Sequence, residues 1–443
     1  MGLLFSKKPY NTLHIFWVRP FGATYMLRFG PSPTGDMHIG TLRVAIINFL
    51  VAQQKEESFL VRIEDADIKE SQEDREGKDT EIIQILEKFA LSHESVFHQS
   101  EHLRIHQTLA VKLLEEGKAF VCTCSPELTE ANNACLGCCE NKDKTEHAKL
   151  KESATPFVLR LKKPKVTIVF HDLLQGDIST SPDELDAFII LRADGTPTAN
   201  FATACDDMLS GVTMVIRDEE HLKHTPRQIH IQNLLGYDVE TSYAHLPALS
   251  DTYSVKWMFE QGYIPDAIIN YLLLLGNKHV PNEIFTLPEA IAWFKLENLS
   301  QTTSKFDIDK LRFINREHLR RMDDKQLSTL FGFADADVGK LAKLYLDEAS
   351  TINELALKIR PVFAAKVFEG TWKEEMKIMQ DIIFNAPMID DFNAFKNYIM
   401  LKSDLEEENL IKALRLLLTG AEHGPKLSDI YPLIKSYLLE IAS

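Results

Sequence analysis

Residues 27–43 read L-R-F-G-P-S-P-T-G-D-M-H-I-G-T-L-R, and no other stretch constrains the chain so tightly. Residues 27–29 form a short apolar run suited to a buried strand. Residues 30–36 are dense in chain breakers, which neither continue a strand nor begin a helix. From Ile39 the spacing changes: Leu42, Ala45, Ile46, Phe49 and Leu50 recur at helical intervals and turn one helix face inward. Strand, tight loop and helix make the first half of a β-α-β unit. Such a loop delivers a ligand to a helix N-terminus, where unpaired N–H groups and the helix dipole favour anions. Gly40 has no Cβ and leaves the backbone open to close approach. His38 stands at the mouth, able to donate a hydrogen bond to a phosphate. A lone H-x-G is more simply a surface turn with a satisfied histidine. The preceding P-S-P-T-G argues for the site.

Length and charge narrow the class. A chain of 443 residues has room for roughly two to four domains. Its 45% hydrophobic content supports a true core. No run of about 18 uncharged apolar residues exists to span a membrane. The net charge of −16 argues against a general polyanion binder, so an RNA ligand would need local basic patches. Five of the six cysteines lie between Cys122 and Cys139. That clustering points to a metal rather than to a secreted disulfide framework. Residues 1–25 carry Lys7, Lys8 and Arg19 and no acid. They lack an apolar core with a cleavage site and read as a disordered extension, or as an over-long start before Met26.

The segment P-S-P-T-G-D-M-H-I-G resembles the H-I-G-H signature of class I aminoacyl-tRNA synthetases, and its lead-in is similar to that of the glutamyl and glutaminyl branch. The resemblance runs from Met26 to the C-terminus with one gap. Residues 58–64 (S-F-L-V-R-I-E) read as a second buried strand, ending in an E-D-A-D similar to the family's R-I-E-D-T-D. A carboxylate at the C-terminal end of a parallel strand lies where open α/β sheets bind ligands. Glu64 matches the family position that engages the amino group of the substrate amino acid. Cys122-Thr-Cys124 followed by Cys135-Leu-Gly-Cys138-Cys139 has the ligands for a structural tetrahedral zinc; the alternative is free thiols on an insertion, and the density of cysteines favours zinc. Some family members carry C-x-C with a later Y-x-x-x-C. By that match Cys122, Cys124, Cys135 and Cys139 are the ligands, Cys135 falling on the tyrosine and Cys138 remaining a rival. Residues 151–165 are basic (Arg160, Lys162, Lys163, Lys165) and face either RNA or solvent.

Residues 188–192 read as a strand entering an Asp194-Gly195 turn. The segment L-R-A-D-G-T-P-T-A-N-F-A resembles the family's L-R-x-D-G-x-P-T-Y-N-F-A. Ala199 replaces a tyrosine that packs against bound glutamate, and Thr203 matches another substrate-facing position. Residues 213–217 (T-M-V-I-R) with Asp218-Glu219-Glu220-His221 resemble I-R-G-E-D-H. Arg217 is the natural partner of a substrate carboxylate, since guanidinium binds carboxylates bidentately. Arg28 on the first strand is a second. Two arginines suit glutamate, although Asp218 sets a negative charge beside Arg217 and weakens the clamp.

After Leu246-Pro247 the family carries a K-M-S-K-S or K-L-S-K-R loop. Here about a dozen residues are missing, by comparison of loop lengths, and the flank resumes at Trp257-Met258-Phe259-Glu260. The lost lysines neutralise the triphosphate as pyrophosphate leaves, and such contacts are commonly worth on the order of 10²–10³ in rate each. Beyond Ser300 the chain is amphipathic and nearly strand-free. Lys310, Arg312, Arg316, Arg320 and Arg321, with Glu317 the only acid among them, either follow an RNA backbone or form a salt-bridged helix face.

The resemblance therefore implies an α/β Rossmann-like catalytic domain, a parallel sheet with helices on both faces, over residues 26–250. It implies an inserted acceptor/zinc-type subdomain at about 100–190, a helical stem-contact region (251–300) and an all-α anticodon-binding domain (301–443). Arg28, Ser32, Glu64, Thr203 and Arg217 would hold glutamate. His38, Gly40 and Glu220 would hold ATP, which comes with Mg²⁺. The expected enzyme is a cytoplasmic monomer that attaches glutamate to glutamate or glutamine tRNA through glutamyl-adenylate. The rivals are a catalytically inactive tRNA-binding paralogue, a glutaminyl enzyme, and a truncated relative that glutamylates a modified base; the helical region beyond Ser300 argues against the last.

Overall fold

The computed structural model describes residues 26–66, 72–124, 139–140, 156–251 and 253–442. Residues 1–25, Asp67, Cys135, Cys138 and Lys151 lie outside them. The chain divides into two compact units, counted here by their described residues. Met1–Pro33, Asn48–Gln72 and Ser92–Leu246 make the first; Thr34–Ile47, Glu73–Leu91 and Pro247–Ser443 make the second.

The first unit is built on a seven-stranded sheet of order β3-β2-β1-β9-β10-β6-β7. Its strands are β1 (Met26–Phe29), β2 (Ser58–Ile63), β3 (Ser95–His98), β6 (Ile168–Asp172), β7 (Gly176–Thr180), β9 (Val212–Asp218) and β10 (Ser242–Leu246). Only β7 runs antiparallel to its neighbour. Central parallel strands are covered on both faces and read as unbroken apolar runs. This is why the short segments around Leu27, Val61 and Ile216 form strands at all. The order turns outward in opposite directions from β1 and β9, so the switch point lies between them. Open α/β sheets bind ligands at the C-terminal ends of strands flanking such a point.

A three-stranded antiparallel sheet, β4 (Ala119–Cys122), β5 (Val158–Leu161) and β8 (Ile189–Leu191), belongs to the same unit. Its core combines Leu113, Val121, Leu161, Ile190 and Phe201 with Ile231. These side chains come from the sheet and from α3 (Leu103–Glu115), α4 (Ala199–Leu209) and α5 (Thr225–Leu235). The expected turn is present: Gly195 N–H donates to the Arg192 carbonyl and Asp194 accepts from Thr196. Within residues 100–190, β6 and β7 run in the large sheet, and β4, β5 and the start of β8 in the small one. Arg160 is fully buried and donates to the Ala187 carbonyl, which removes it from any RNA-facing basic stretch; Lys163 and Lys165 are exposed.

The helix α1 (Ile39–Lys55) belongs to the second unit up to Ile47 and to the first from Asn48. The second unit also holds most of α2 (Gln72–Lys88). From Pro247 on, its regular elements among the described residues are helical. They are α6 (Val255–Glu260), α7 (Pro265–Leu274), α8 (Leu287–Trp293), α9 (Ile308–Arg321), α10 (Asp324–Thr329) and α11 (Asp337–Leu344), then α12 (Ile352–Phe363), α13 (Lys373–Phe384), α14 (Phe392–Ser403), α15 (Glu407–Thr419), α16 (Leu427–Ile434) and α17 (Leu438–Ile441). Buried apolar residues recur at helical spacing, as with Leu311, Ile314 and Leu319 on α9. The basic run on α9 is a salt-bridged face. Lys310 pairs with Glu283, Arg312 with Glu354, and Arg320 with Glu317 and Asp347, while Arg321 donates to the Ile284 carbonyl. No described helix is long and apolar enough to cross a membrane.

Candidate active site: a row of arginines on the sheet

Each of the three central strands β1, β2 and β9 carries one arginine inside its apolar run. Strand register puts them on one face. Arg28 lies opposite Leu60, which shares a side with Arg62. Leu27 lies opposite Met214, so Arg28 faces the side of Val215 and Arg217. His245 on β10 lies opposite Arg217. Four successive strands therefore present Arg62, Arg28, Arg217 and His245 side by side, all buried.

Two of these cations are neutralised in place. Asp207 on α4 accepts from Arg28 Nε at 3.0 Å and from Arg62 Nη1 at 2.5 Å. Burial alone would raise its pKa, but the guanidinium charges of Arg28 and Arg62 outweigh that and hold it down at about 2. Arg62 also pairs with Glu64 at 2.9 Å. Thr203 Oγ1 lies 3.4 Å from the same Glu64 oxygen. Gly30 makes room for this carboxylate, since a Cβ there would stand 2.7 Å from Glu64 Oε1.

Arg217 is different: it makes no ion pair among the described residues. Its Nε donates to His245 Nε2 (3.1 Å), Nη1 to Gln228 Oε1 (2.9 Å), and Nη2 to Thr225 Oγ1 (2.7 Å) and the His221 carbonyl (3.4 Å). Every partner is neutral or a backbone carbonyl. Burial first, and then the Arg28 charge, lower its pKa to about 10. It thus stays cationic at neutral pH. Around it, burial and then mainly the positive charges of His221 and Arg217 push His224 down to about 4. His221 is lowered by burial and Arg217. Among the described residues three guanidiniums share two carboxylates, and Arg217 is the one left without an ion pair. Asp218 does not weaken the clamp as expected: successive strand residues point to opposite faces, and the carboxylates acting on Arg217 are Asp207 and, after it, Glu64.

The other expected residues of this unit are more scattered. Ser32, Ala199 and Glu220 are exposed, Glu220 lying 3.4 Å from His221 Nε2. The thiols of Cys122, Cys124 and Cys139 converge within 4.8 Å of one another, with 3.6 Å between Cys124 and Cys139. None of the three forms a disulfide among the described residues, and a set of three sulfurs suits zinc; Cys135 and Cys138 are outside the described residues.

In the second unit, the His38 ring folds over the first turn of α1. Thr41 N–H donates to His38 Nδ1 at 3.3 Å, which leaves the proton of a neutral ring on Nε2, 3.0 Å from Thr41 Oγ1. The space opened by Gly40 is taken by this ring, because a Cβ there would meet His38 Cε1 and Nδ1 at 3.0 Å. The loop is tied down by backbone pairing on both sides of His38. Val255 N–H donates to the Met37 carbonyl and Ile39 N–H to that of Tyr253. Ser254 caps α6. Arg43, buried, donates to the carbonyls of Pro247 and Leu275.

Sequence reading missed Asp207, Arg62, Gly30, Asp172 and His245. The A-C-D-D run at residues 204–207 was the available signal: two adjacent acids in an apolar helix need partners.

The chain matches the family described as tRNA synthetases class I (E and Q), catalytic domain, over residues 25–313. It is 58% identical to "Glutamate--tRNA ligase 2" of Sulfurovum sp. (strain NBC37-1), covering 94% of this chain and 100% of that protein. It is 43% identical to "Glutamate--tRNA ligase 1" of Campylobacter jejuni (strain RM1221), with the same coverage. A glutamate tRNA ligase of Elizabethkingia meningosepticum, solved in complex with its amino acid, shares the fold at a TM-score of 0.76 and 22% identity, covering 94% of this chain and 98% of that one. The H-I-G loop, the arginine row and these likenesses agree: the chain belongs to the class I aminoacyl-tRNA synthetases of the glutamyl and glutaminyl group.

Proposed function

We propose that this chain is a glutamate–tRNA ligase. Arg217, a buried cation with no anion among the described residues, carries the reading. A carboxylate of glutamate supplies the missing charge, a second contact falls to Arg28, and Glu64 takes the substrate ammonium, with Ser32 and Thr203 beside it. His38 donates through Nε2 to an ATP phosphate, with Gly40 and Glu220 as further ATP contacts and Mg²⁺ accompanying the nucleotide. The α-carboxylate of glutamate attacks the α-phosphate and pyrophosphate leaves, giving glutamyl-adenylate. A terminal ribose hydroxyl of glutamate or glutamine tRNA then takes the acyl group and AMP departs. Positioning and charge neutralisation carry both steps. The strong identity to relatives named for this activity supports the reading.

In this reading residues 251–300 contact the acceptor stem, residues 301–443 the anticodon, and the enzyme works as a cytoplasmic monomer. Cys122, Cys124 and Cys139 hold a structural zinc, with Cys135 or Cys138 as the fourth ligand. The absence of the K-M-S-K-S lysines slows adenylate formation.

The test is glutamylation of total tRNA with labelled glutamate, ATP and magnesium, beside a version with K-M-S-K-S inserted after Leu249. Activity in both versions supports the ligase and refutes the weight given to the lost lysines. Activity in the restored version alone supports an impaired ligase. Activity in neither refutes the reading in favour of a tRNA-binding paralogue.

A further inference from the structure

Arg217 is held by a group that must itself be held in one protonation state. Arginine has only donors to offer. Its Nε points at His245 Nε2 from 3.1 Å, so that ring nitrogen must present a lone pair. Thr225 agrees. Its oxygen accepts from Arg217 Nη2 at 2.7 Å, and its own hydroxyl proton is then free to turn to His245 Nε2 at 3.1 Å. Two donors converge on one nitrogen, which leaves no place there for a proton. The ring proton therefore sits on Nδ1, where Asp172 Oδ2 accepts it at 2.6 Å. Asp172 is fully buried and fixed in turn. Its Oδ1 accepts from the backbone N–H of Leu174 and of Gln175, both at 2.9 Å, and Oδ2 accepts from that of His245 at 3.1 Å. The three residues lie on adjacent strands, β6, β10 and β9.

We propose that Asp172 and His245 are positioning residues for the substrate clamp. Asp172 sets the His245 tautomer so that an uncharged acceptor aims Arg217 while leaving its charge to the substrate. A carboxylate placed directly on Arg217 would aim it equally well but would cancel the charge that attracts the ligand. The inference rests on the ligase reading for the identity of that ligand, not for the internal geometry.

Asp172→Asn changes the tautomer with the least change of shape, although its NH₂ also gives up the bond that Oδ2 accepts from the His245 backbone N–H. The two backbone N–H groups of Leu174 and Gln175 keep the amide oxygen at the Oδ1 position. The amide NH₂ then replaces Oδ2 and donates to Nδ1, which drives the ring proton to Nε2, against the Arg217 N–H. The same logic makes an aspartate-to-asparagine change costly in hydrolytic triads. A second change, His245→Gln, offers Arg217 an oxygen whatever stands at residue 172.

The experiment combines nitrogen–proton correlation spectra of histidine-labelled full-length protein with calorimetric titration of glutamate. In the unaltered chain His245 should be the Nδ1–H tautomer; in Asp172→Asn it should be Nε2–H, with glutamate binding weakened about tenfold or more, as for loss of an aimed charged hydrogen bond. Asp172→Asn with His245→Gln should recover most of that loss. A merely structural role predicts that the double variant is worse than either single one. The proposal is overturned by an Nε2–H or doubly protonated His245 in the unaltered chain, by unchanged glutamate binding in Asp172→Asn, or by no recovery in the double variant. If the unaltered chain binds no glutamate, the ligase reading fails, while the spectra still decide whether this dyad holds Arg217.

Discussion

Asp207→Asn is the perturbation whose cost can be worked most directly from the structure. Asp207 is one buried carboxylate shared by two buried guanidiniums, Arg28 and Arg62. Asparagine has nearly the shape of a protonated aspartic acid, so the substitution resembles permanent protonation. The Asp207 carboxyl ionises near pH 2 in the folded chain, against an ordinary value of 3.8. That difference corresponds to about 2.5 kcal/mol of stability at neutral pH. Breaking a buried pair by removing one partner costs about 3–5 kcal/mol, so the two routes bracket a loss of about 2–5 kcal/mol.

The pH dependence has a definite sign. A depressed carboxylate stabilises the fold above its unfolded value and ceases to do so as pH falls through its folded value. The unaltered chain and the variant should therefore differ fully near pH 7 and converge between about pH 4 and pH 2. Urea unfolding measures this. With m of about 2 kcal/mol/M, the midpoint for the first unit should drop by about 1 M or more at pH 7. A gap below about 1 kcal/mol at neutral pH, or one that stays constant down to pH 2.5, would refute the view that Asp207 acts as the shared counter-ion.

Three further outcomes are expected. Gly30→Ala puts a methyl group 2.7 Å from Glu64 Oε1 and should weaken calorimetric glutamate binding about tenfold with little change in melting temperature; unchanged binding would show that Glu64 does not meet the substrate. Gly40→Ala crowds the His38 ring at 3.0 Å and should raise the Kd for ATP several-fold while leaving glutamate binding as it was. Purified protein should carry zinc by elemental analysis, and Cys124→Ser, which removes one of three converging thiols, should lower that content; a metal-free protein that gains no stability on added zinc would sink the structural-zinc reading.

What could be read from the sequence follows from how far each signal has to travel. The strand expected at residues 27–29 (observed as Met26–Phe29), the helix from Ile39 and the turn at Gly195 are set by spacing and breakers within a few residues, and all three formed there. The basic run on α9 could not be decided locally. Its partners Glu283, Glu354 and Asp347 lie 27 to 42 residues away in the chain, so an RNA face and a salt-bridged face look alike in sequence. Asp207 is further still, 179 residues from Arg28. The A-C-D-D run signals only that two acids sit in an apolar helix, and nothing local says which cation each will meet. Asp206, next to Asp207, meets His102 and His106, each at 2.8 Å.

The arginine row also explains why one clamp residue can be called free when its neighbour cannot. Three guanidiniums stand on three adjacent strands against two nearby carboxylates, Asp207 and Glu64. The acids are not shared evenly. Asp207 bridges Arg28 and Arg62, and Glu64 leans on Arg62, so Arg62 is doubly paired and Arg217 not at all among the described residues. Leaving a buried cation unpaired is costly to the fold. The cost is lowered by surrounding Arg217 with four oriented neutral acceptors, and the remaining deficit is met when a ligand brings one net negative charge. Glutamate has two carboxylates and one ammonium, and so fits that deficit. Glutamine is neutral overall and would leave Arg217 without its second carboxylate. Discrimination between the two amino acids is then a consequence of how Asp207 divides its charge, and it should weaken when Arg217 alone is replaced by a neutral side chain of similar length.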